Sequence, residues 1–527
     1  LWVSGAGGAA NGFNVTSTQN PSIYLFREDV TPPPSTATVF TTGYNWKGVA
    51  KINNSPLYNI GTQAKTTTTN INDFTTTIPV GNGMLVFDRG DNTTTAGRTV
   101  APFNNVNSVT VTAVGQLNTG NITVIPWYTG TPGFTYTPGS VSADPNIKLI
   151  HGFALVGNPY PATINWERYN NTNAPANAIT GTVGNTIYEY NPATKQYGTY
   201  TSFNSTSNAE RPSGANFTNG GTNFIASGMG FFVVATAAGQ TLTFTEDAKV
   251  TTNGNATWLK VFMGKPKETA EQPVPYIRLK LIADSVNNDD IVISFNNKAN
   301  DKFVQDEDVI DIGGNGAAES LSSFSTDSVK LAVNMLPLPG KQQKTISLLT
   351  DAPASGSYQL TVPELGDMPK LYTLWLKDAF TADSVELKPN TTYPFTIDKS
   401  NAATFGSKRF TLVIRQDSAY AYKLLDFAAT KTNYRTDVQL VWKTQNEGNN
   451  TRFTVERSTN NGRRFEVIGS QTSTGTGNYS LVDKHPDRGQ NLYRLKQVDL
   501  NDSVTYSKLV RVQFSDRGNS VWDRLSI

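Results

Sequence analysis

The chain of 527 residues contains no cysteine, two histidines and five methionines. Without thiols it can form neither disulfides nor thiolate metal sites. Charged residues make up 16% of the sequence and the formal net charge is +2, so the basic surface of a nucleic-acid-binding protein is not expected. The sequence also lacks a run of about 18 apolar residues, the length that predicts a membrane-spanning helix. No signal-peptide pattern opens the chain, which begins without methionine, and we expect a processed product.

The dominant pattern is alternation of apolar and polar residues at period two, which is typical of half-buried strands. Segments such as SVTVTAVGQL (108–117), DIVISFNNK (290–298) and TRFTVERST (451–459) place Val, Ile, Thr and Phe at the apolar positions. Asn-Gly, Pro-Gly and Asp-Pro pairs between them indicate turns. No segment sustains helical periodicity. The sequence therefore predicts an all-β fold of tandem antiparallel β-sandwich domains, immunoglobulin- or fibronectin-like and jelly-roll-like.

Charge density divides the chain. Residues 1–250 carry 11 acidic and 11 basic side chains, whereas the remaining 277 residues carry 31 and 33. Turn-rich VTTNGNATW (250–258) and proline-spaced GKPKETAEQPVPY (264–276) follow this step and predict a linker. A second boundary falls near RQDSAYAYKLL (415–425), where one strand ends and a new series begins. We expect sandwich domains over residues 1–252, 256–415 and 418–517, and the start of a further linker over residues 518–527.

The segment HGFALVGNPYPATINW (151–166) contains two prolines and the large aromatic residues Tyr160 and Trp166. Pro159 and Pro161 fix φ and lack an amide donor, so this part of the chain is predicted to form an irregular corner. Tyr160 and Trp166 supply large apolar surfaces that can pin such a corner. We interpret the segment as a stabilising device.

His151 opens the same segment and would be a general base only with a nucleophile or an orienting partner, which sequence cannot locate. The other histidine, His485, lies in the polar loop DKHPDRG. The glycine-rich GAGGAANG (5–12) is not followed by a helix, so it forms no phosphate cradle. The DRGD segment (88–91) is typical of a turn with a local ion pair. We therefore predict no catalytic residue and no enzyme.

The best candidate metal site is a set of carboxylates in NNDD (287–290) and DKFVQDEDVID (301–311). Calcium takes six to eight oxygen ligands, often from acidic loops. The candidate ligands of a structural Ca²⁺ are Asp289, Asp290, Asp301, Asp306, Glu307 and Asp308. Because the spacing does not match the twelve-residue helix-loop-helix pattern, solvated acidic loops remain the alternative. No other cofactor is predicted.

Five segments of the first domain form an ordered series: GNGMLVFDRGD (81–91), GQLNTGNITV (115–124), FALVGNPYPATINW (153–166), IYEYNPATKQYGTY (187–200) and IASGMGFFVVA (225–235). In this order they resemble the passenger domain of secreted Bacteroidota proteins that use the type IX secretion system. The resemblance implies a surface-associated β-sandwich protein. Its implied partners are the type IX translocon and an outer-membrane β-barrel shuttle, which are reached through a C-terminal sorting domain.

The resemblance continues along the chain. The segment 276–314 resembles the domain that follows in such proteins. Residues 438–512, which include YRLKQVDLNDSVTYSKLV, resemble the fibronectin type III-like module that precedes the sorting domain. The YPNP segment that would open that domain does not occur after SVWDRLSI, and we expect it to have been removed or to lie beyond the sequence.

Asp-Ser followed by Val or Ala occurs five times, where composition alone gives roughly one occurrence. The tripeptide resembles the O-glycosylation sequon of Bacteroidota. The resemblance implies glycans, which must occupy surface loops, on Ser285, Ser328, Ser384, Ser418 and Ser503. The alternative is that Asp-Ser merely starts turns.

Two functions are compatible with these observations. The first is a non-enzymatic extracellular or cell-surface protein, exported by the type IX system and acting as adhesin, stalk or assembly component. The second is a carbohydrate-binding accessory region of a larger polysaccharide-degrading enzyme, in which Trp46, Trp127 and Tyr128 would stack on sugar rings. A hydrolase in the first domain would need a cleft with converging polar groups, which the sequence does not indicate.

Overall fold

The computed structural model of the chain describes residues 23–26, 46–49, 80–86, 117–126, 152–171, 178–202, 215–250, 274–305, 307–313, 318–432, 436–447, 450–499 and 504–514. Within these ranges the regular structure consists of strands and short 3₁₀ turns, with no α-helix. In the same ranges no helix has the length and apolar character needed to cross a membrane.

The strands in the described ranges are short in the first half of the chain and longer in the second. They are β1 (Ile23–Phe26), β2 (Trp46–Val49), β3 (Leu85–Val86), β4 (Ile122–Val124), β5 (Phe153–Gly157), β6 (Ile164–Asn165), β7 (Ile179–Gly181), β8 (Thr186–Asn191), β9 (Gln196–Thr201), β10 (Phe217–Thr218), β11 (Phe224–Ile225), β12 (Gly230–Val234), β13 (Leu242–Phe244), β14 (Tyr276–Ile282), β15 (Asn288–Phe295), β16 (Val309–Ile310), β17 (Ser320–Phe324), β18 (Lys330–Leu336), β19 (Lys344–Asp351), β20 (Gly356–Gly366), β21 (Tyr372–Asp378), β22 (Asp383–Glu386), β23 (Thr392–Ile397), β24 (Gly406–Gln416), β25 (Lys423–Lys431), β26 (Val438–Gln445), β27 (Asn450–Ser458), β28 (Glu466–Thr472), β29 (Asn478–Asp483), β30 (Gln490–Asp499), β31 (Val504–Tyr506) and β32 (Val510–Gln513).

The predicted all-β fold class is confirmed. In β26, for example, Val438, Leu440 and Trp442 are buried, whereas Val441 between them is 40% exposed. This alternation is the direct consequence of side chains pointing to opposite faces of a pleated strand. One face of such a strand is covered by a second sheet, and the result is a sandwich.

The chain divides into two compact units. Unit 1 comprises Leu1–Leu336, Ile346–Gly366 and Lys377–Thr411. Unit 2 comprises Pro337–Thr345, Asp367–Leu376 and Leu412–Ile527. The predicted boundary between residues 252 and 256 falls within residues 251–273, which are outside the described ranges.

The first core of unit 1 lies on one face of a five-stranded sheet with the order β10-β9-β8-β12-β5. Ile187, Tyr200 and Phe231 project from this sheet into a buried cluster of aliphatic and aromatic side chains. Trp166 and Phe244, from other strands and turns of the same unit, complete it. Burial of such large side chains stabilises a domain by about 1.5–3 kcal/mol each.

The opposite face of this five-stranded sheet carries the second core of unit 1. Phe153, Tyr188 and Phe232 pack in one cluster with Val292 of β15 and Val333 of β18. These two strands belong to a large sheet that includes the series β17-β18-β15-β14-β20-β23. One sheet therefore contributes to two cores, and residues on both sides of position 252 form one packed body.

The pairing of β15 with β18 in the large sheet departs from the predicted antiparallel order. β14 pairs antiparallel with β15 and β20, but β15 pairs in parallel with β18, Val292 lying opposite Val333. A parallel pair needs a long crossover connection. Here that connection contains β16 and β17, both of which also pair with β18.

Residues of unit 2 after position 422 form a fibronectin-like sandwich. One sheet has the order β25-β26-β29, and the other has the order β28-β27-β30 with both β31 and β32 beside β30. The core between them includes Trp442, which stacks on Tyr479 with a centroid distance of 5.6 Å, and Tyr493. This arrangement of a three-stranded and a five-stranded sheet, in which β31 and β32 share one edge of β30, agrees with the fibronectin-like module predicted for this part of the chain.

Candidate functional site

The Gly-Asn-Pro-Tyr-Pro segment forms an irregular corner after β5, as predicted. Asn158 holds it: its side-chain amide donates to the carbonyl oxygens of Ala162 at 2.8 Å and Ile225 at 3.0 Å. The Asn158 Oδ1 atom in turn accepts from the Tyr160 amide at 3.0 Å. Because two prolines remove amide donors here, the Asn158 side chain replaces part of the missing backbone hydrogen bonding.

The aromatic residues of the corner are buried. Tyr160 is 2% exposed and donates its hydroxyl to the Gly120 carbonyl at 2.6 Å. Trp166 is 0% exposed, stacks on Tyr169 with a centroid distance of 4.5 Å, and donates its indole N–H to the Asn185 carbonyl at 2.9 Å. Neither ring is available to a ligand, so these side chains contribute packing and hydrogen bonds.

The histidines do not form a described catalytic group. His151 lies outside the described residues, as do the segments 5–12 and 88–91. His485 is exposed, its amide donates to Asp483 Oδ1 at 3.0 Å, and its carbonyl accepts from Arg457. These contacts shape the loop through its backbone and place no nucleophile beside the imidazole ring.

Two of the predicted calcium ligands are buried strand residues. Asp289 Oδ1 accepts from Asn219 Nδ2 at 2.8 Å and Asp289 Oδ2 from the Leu321 amide at 2.7 Å. Asp290 forms a buried ion pair with Arg278 and accepts the Asn219 amide at 2.5 Å. Both carboxylates therefore join strand β15 to the loop after β10, seventy residues earlier, and each of their four oxygens already contacts a protein donor.

The electrostatic environment of Asp289 is unusual. Burial raises the pKa of Asp289 well above its ordinary value, and the nearby carboxylate of Asp311 raises it further. Lys330, also buried, lies 3.2 Å from Asp311 Oδ2, although without the geometry of a good hydrogen bond. Burial and the neighbouring Asp311 carboxylate together favour the protonated form of Asp289.

The other predicted ligands are dispersed. Asp308 accepts the backbone amides of Val304 and Met335, both at 2.8 Å, and so fixes a loop against β18. Asp301 is exposed, and Asp306 lies outside the described residues. No group of three or more acidic or histidine side chains in the described ranges is arranged to hold a metal ion.

Four of the five Asp-Ser sites are described. Ser285 and Ser418 are exposed in turns and Ser384 is exposed on β22, while Ser328 is only partly exposed and has a positive φ of 66°. Ser503 lies outside the described residues. In the two exposed turns, aspartate accepts the amide two residues on: Asp284 from Val286 and Asp417 from Ala419. The aspartate therefore has a turn-forming role whether or not the serine is modified.

Sequence reasoning missed one buried carboxyl group. Glu189, on β8, is 0% exposed, and neither of its carboxyl oxygens has a hydrogen-bond partner of good geometry. Burial raises the pKa of Glu189 to about 8, and the nearby Thr222 amide offsets this only in part. The side chain lies opposite Gly198, whose missing side chain leaves room for Gly221 to approach closely. The sequence carries one signal for this position: the period-two alternation of β8 places Glu189 on the same face of the sheet as Ile187.

Comparison with protein families identifies the chain. The model of a family described as a domain of unknown function, DUF8693, matches residues 30–414, and the chain belongs to that family. The matched segment runs through both cores of unit 1. No curated protein matches the chain significantly.

Several solved structures are similar to parts of the chain. The FN1-FN3 domains of chicken CNTN1 share 8% identity over 47% of this chain and 91% of that chain, with a TM-score of 0.15. The chicken interferon gamma receptor alpha chain shares 8% identity over 33% and 97%, with a TM-score of 0.17. Pectate lyase Pel3 from Pectobacterium carotovorum shares 23% identity, with a TM-score of 0.14, over 16% of this chain and 26% of its own length.

Proposed function

We propose that this member of the DUF8693 family is a non-enzymatic extracellular or cell-surface protein, exported by the type IX secretion system and acting as adhesin, stalk or assembly component. Its interacting machinery would be the type IX translocon and an outer-membrane β-barrel shuttle. A surface glycan or another surface protein would be its ligand.

The corner around Asn158 is the observation that carries this proposal. It contains the most distinctive motif of the first domain, and its side chains are used for packing and backbone hydrogen bonds. When the polar side chains of a motif are buried and hydrogen-bonded to the protein itself, we interpret the motif as stabilising a scaffold. Tandem β-sandwich domains are suited to presenting a binding surface outside a cell.

Surface exposure in the native bacterium tests the export proposal. Whole cells of the wild type and of a strain lacking the type IX translocon would be treated with protease, and the intact chain quantified. We expect the protein to be protease-accessible or released in the wild type and retained within the envelope in the mutant. A surface protein that uses another route serves as control. Equal surface amounts in both strains would refute the proposal.

We propose further that the exposed Asp-Ser sites carry O-glycans. Ser285, Ser384 and Ser418 are accessible, and a bulky glycan requires such positions. Ser328 is less accessible, so its occupancy should be lowest of the four. Mass spectrometry of the protein from its own host should find added hexose-containing mass at the three exposed serines and none at Ser480, an exposed serine without a preceding aspartate. An unmodified intact mass contradicts the proposal.

A further inference from the structure

The outer face of the five-stranded fibronectin-like sheet in unit 2 is cationic. Tyr493 and Leu495 of β30 point into the core, so Arg494 and Lys496 point outward. Arg511 of β32 lies on the same outer face, opposite Leu492 of β30. At the outward-facing described positions of these strands, Glu456 is the only carboxylate. It is already paired with Arg494 at 2.7 Å.

Arg494 is held in a fixed orientation. Its guanidinium lies 3.8 Å from the centroid of the Phe465 ring and 4.1 Å from the centroid of the Tyr506 ring. The Nε atom donates to Glu456 Oε2. The two rings and the carboxylate thus fix the plane of the guanidinium, while its terminal nitrogens have no partner among the described residues. Such a fork is preorganised for a carboxylate or sulfate group.

Exposed apolar surface surrounds these charges. Tyr506 is 47% exposed, Val504 is 47% exposed and Val467 is 63% exposed. An aromatic ring and valine methyl groups beside fixed cations match a ligand that has both apolar C–H faces and regularly spaced anionic groups. Sugar rings bearing carboxylates or sulfates have this combination, whereas a polypeptide of acidic residues alone has no comparable apolar face.

We propose that this face, which we call the Arg494 face and define by Phe465, Arg494, Lys496, Tyr506 and Arg511, binds an acidic polysaccharide. The proposal deepens the proposed role as an adhesin and rests on it for its biological setting. Arg494 receives one anionic group in bidentate fashion, and Lys496 and Arg511 attract neighbouring groups along the polymer. The charge complementarity is strongest at low ionic strength.

Binding of the full purified chain to polygalacturonate and to chondroitin sulfate tests this, with neutral dextran as the reference. We expect binding to at least one acidic polymer, none to dextran, and an affinity that falls as salt rises. The double variant Lys496→Gln/Arg511→Gln should bind about tenfold more weakly, because each exposed ion pair contributes up to about 1 kcal/mol. Arg494→Lys keeps the charge but loses the planar fork, and should bind at least about fivefold more weakly.

The control is a charge-matched change on the opposite sheet of the same module, Lys423→Gln/Lys443→Gln, where both lysines are exposed. It should leave affinity within about twofold of the wild type. An equal loss in the control, or equally tight binding of poly-glutamate or duplex DNA, would overturn the proposal, as would no binding to either acidic polymer. Urea unfolding of each variant confirms that the fold is intact. Because the assay uses purified protein, its outcome is independent of the export result.

Discussion

Glu189→Gln should remove a large pH dependence from the stability of unit 1. Glu189 is fully buried with no hydrogen-bond partner of good geometry, and burial raises its pKa to about 8 from an ordinary value of 4.5. The folded state therefore binds this proton more tightly than the unfolded state does. The stabilisation that comes from the raised pKa of Glu189 is fully present below about pH 4.5 and is lost as the pH rises through about 8. Glutamine has the shape of the protonated acid and cannot ionise.

The size of the effect follows from linkage. Between pH 4.5 and 8 the native protein holds close to one more proton at this site, so the free energy of unfolding falls by about 1.4 kcal/mol per pH unit. Over the whole window this amounts to at most about 5 kcal/mol, which is as large as the total stability of many domains. The wild type should thus lose stability relative to the variant steadily from pH 5 to about pH 8, and the difference should then level off towards pH 9.

Urea unfolding at five pH values, followed by circular dichroism, measures this difference. Hydrogen exchange of peptides from β8 and β9 locates it. The pKa of Asp289 is also raised, but this residue is present in both proteins, so its effect on stability cancels in the difference between them. Asp247→Asn, at an exposed carboxylate of the same unit, is the matched control and should show no such trend. A difference between wild type and Glu189→Gln that stays constant from pH 5 to pH 9 would refute the reasoning.

Three further substitutions test the packing. Asn158→Ala removes the buried amide that bonds the corner, and should lower the free energy of unfolding by about 3 kcal/mol in urea titrations. Gly152 has a φ of 100°, and a Cβ added there would lie 1.7 Å from the Ala235 carbonyl oxygen, so Gly152→Ala should abolish soluble expression. Gly239 also has a positive φ, 77°, but no atom lies near its added Cβ, so Gly239→Ala should lower the free energy of unfolding by only about 1 kcal/mol. Trp442→Ala should cost the fibronectin-like module about 3–5 kcal/mol, seen as loss of its near-ultraviolet signal and a lower urea midpoint.

Each of these has a control and a contrary outcome. Asn121→Ala changes an exposed asparagine and should alter stability by less than about 0.5 kcal/mol. Equal effects at Asn121 and Asn158 would mean that the corner hydrogen bonds are unimportant. Val467→Ala, at a site 63% exposed, is the matched control for Trp442→Ala. Normal expression of Gly152→Ala would show that the backbone there can move away from Ala235.

Local patterns predicted the strands well because their cause is local. The alternation in VQLVWKTQ places Trp442 inward whatever the partner sheet is, and the prolines beside Tyr160 forbid regular pairing without any knowledge of the fold. The register between β30 and β31 also follows from the hairpin, so the proximity of Lys496 and Tyr506 was within reach of the sequence. Period two then puts Arg494 on the same face as Lys496.

Contacts between residues far apart in the sequence determine the burial and partners of the acidic side chains, which the sequence alone did not predict. Asp289 and Asp290 have the composition of a solvated or calcium-binding loop, yet both are buried, because Asn219, seventy residues earlier, and Arg278 use their oxygens. Glu189 resembles an ordinary polar residue of a hairpin, and only the approach of Gly221 to Gly198 from outside the hairpin encloses that part of the sheet. A carboxylate in sequence therefore carries little information about its charge state until its neighbours are known.

The same long-range contacts explain why one family model covers both halves of unit 1. The five-stranded sheet buries Phe232 against Val292 and Val333, so its outer face is complete only when β15 and β18 are present. Asn219 adds directional hydrogen bonds to Asp290 on the same side. A chain cut between these halves would expose a row of aromatic side chains on the first piece, and exposed apolar surface of this kind is costly. The family model over residues 30–414 accordingly spans both halves of unit 1, whereas the fibronectin-like module has its own core around Trp442.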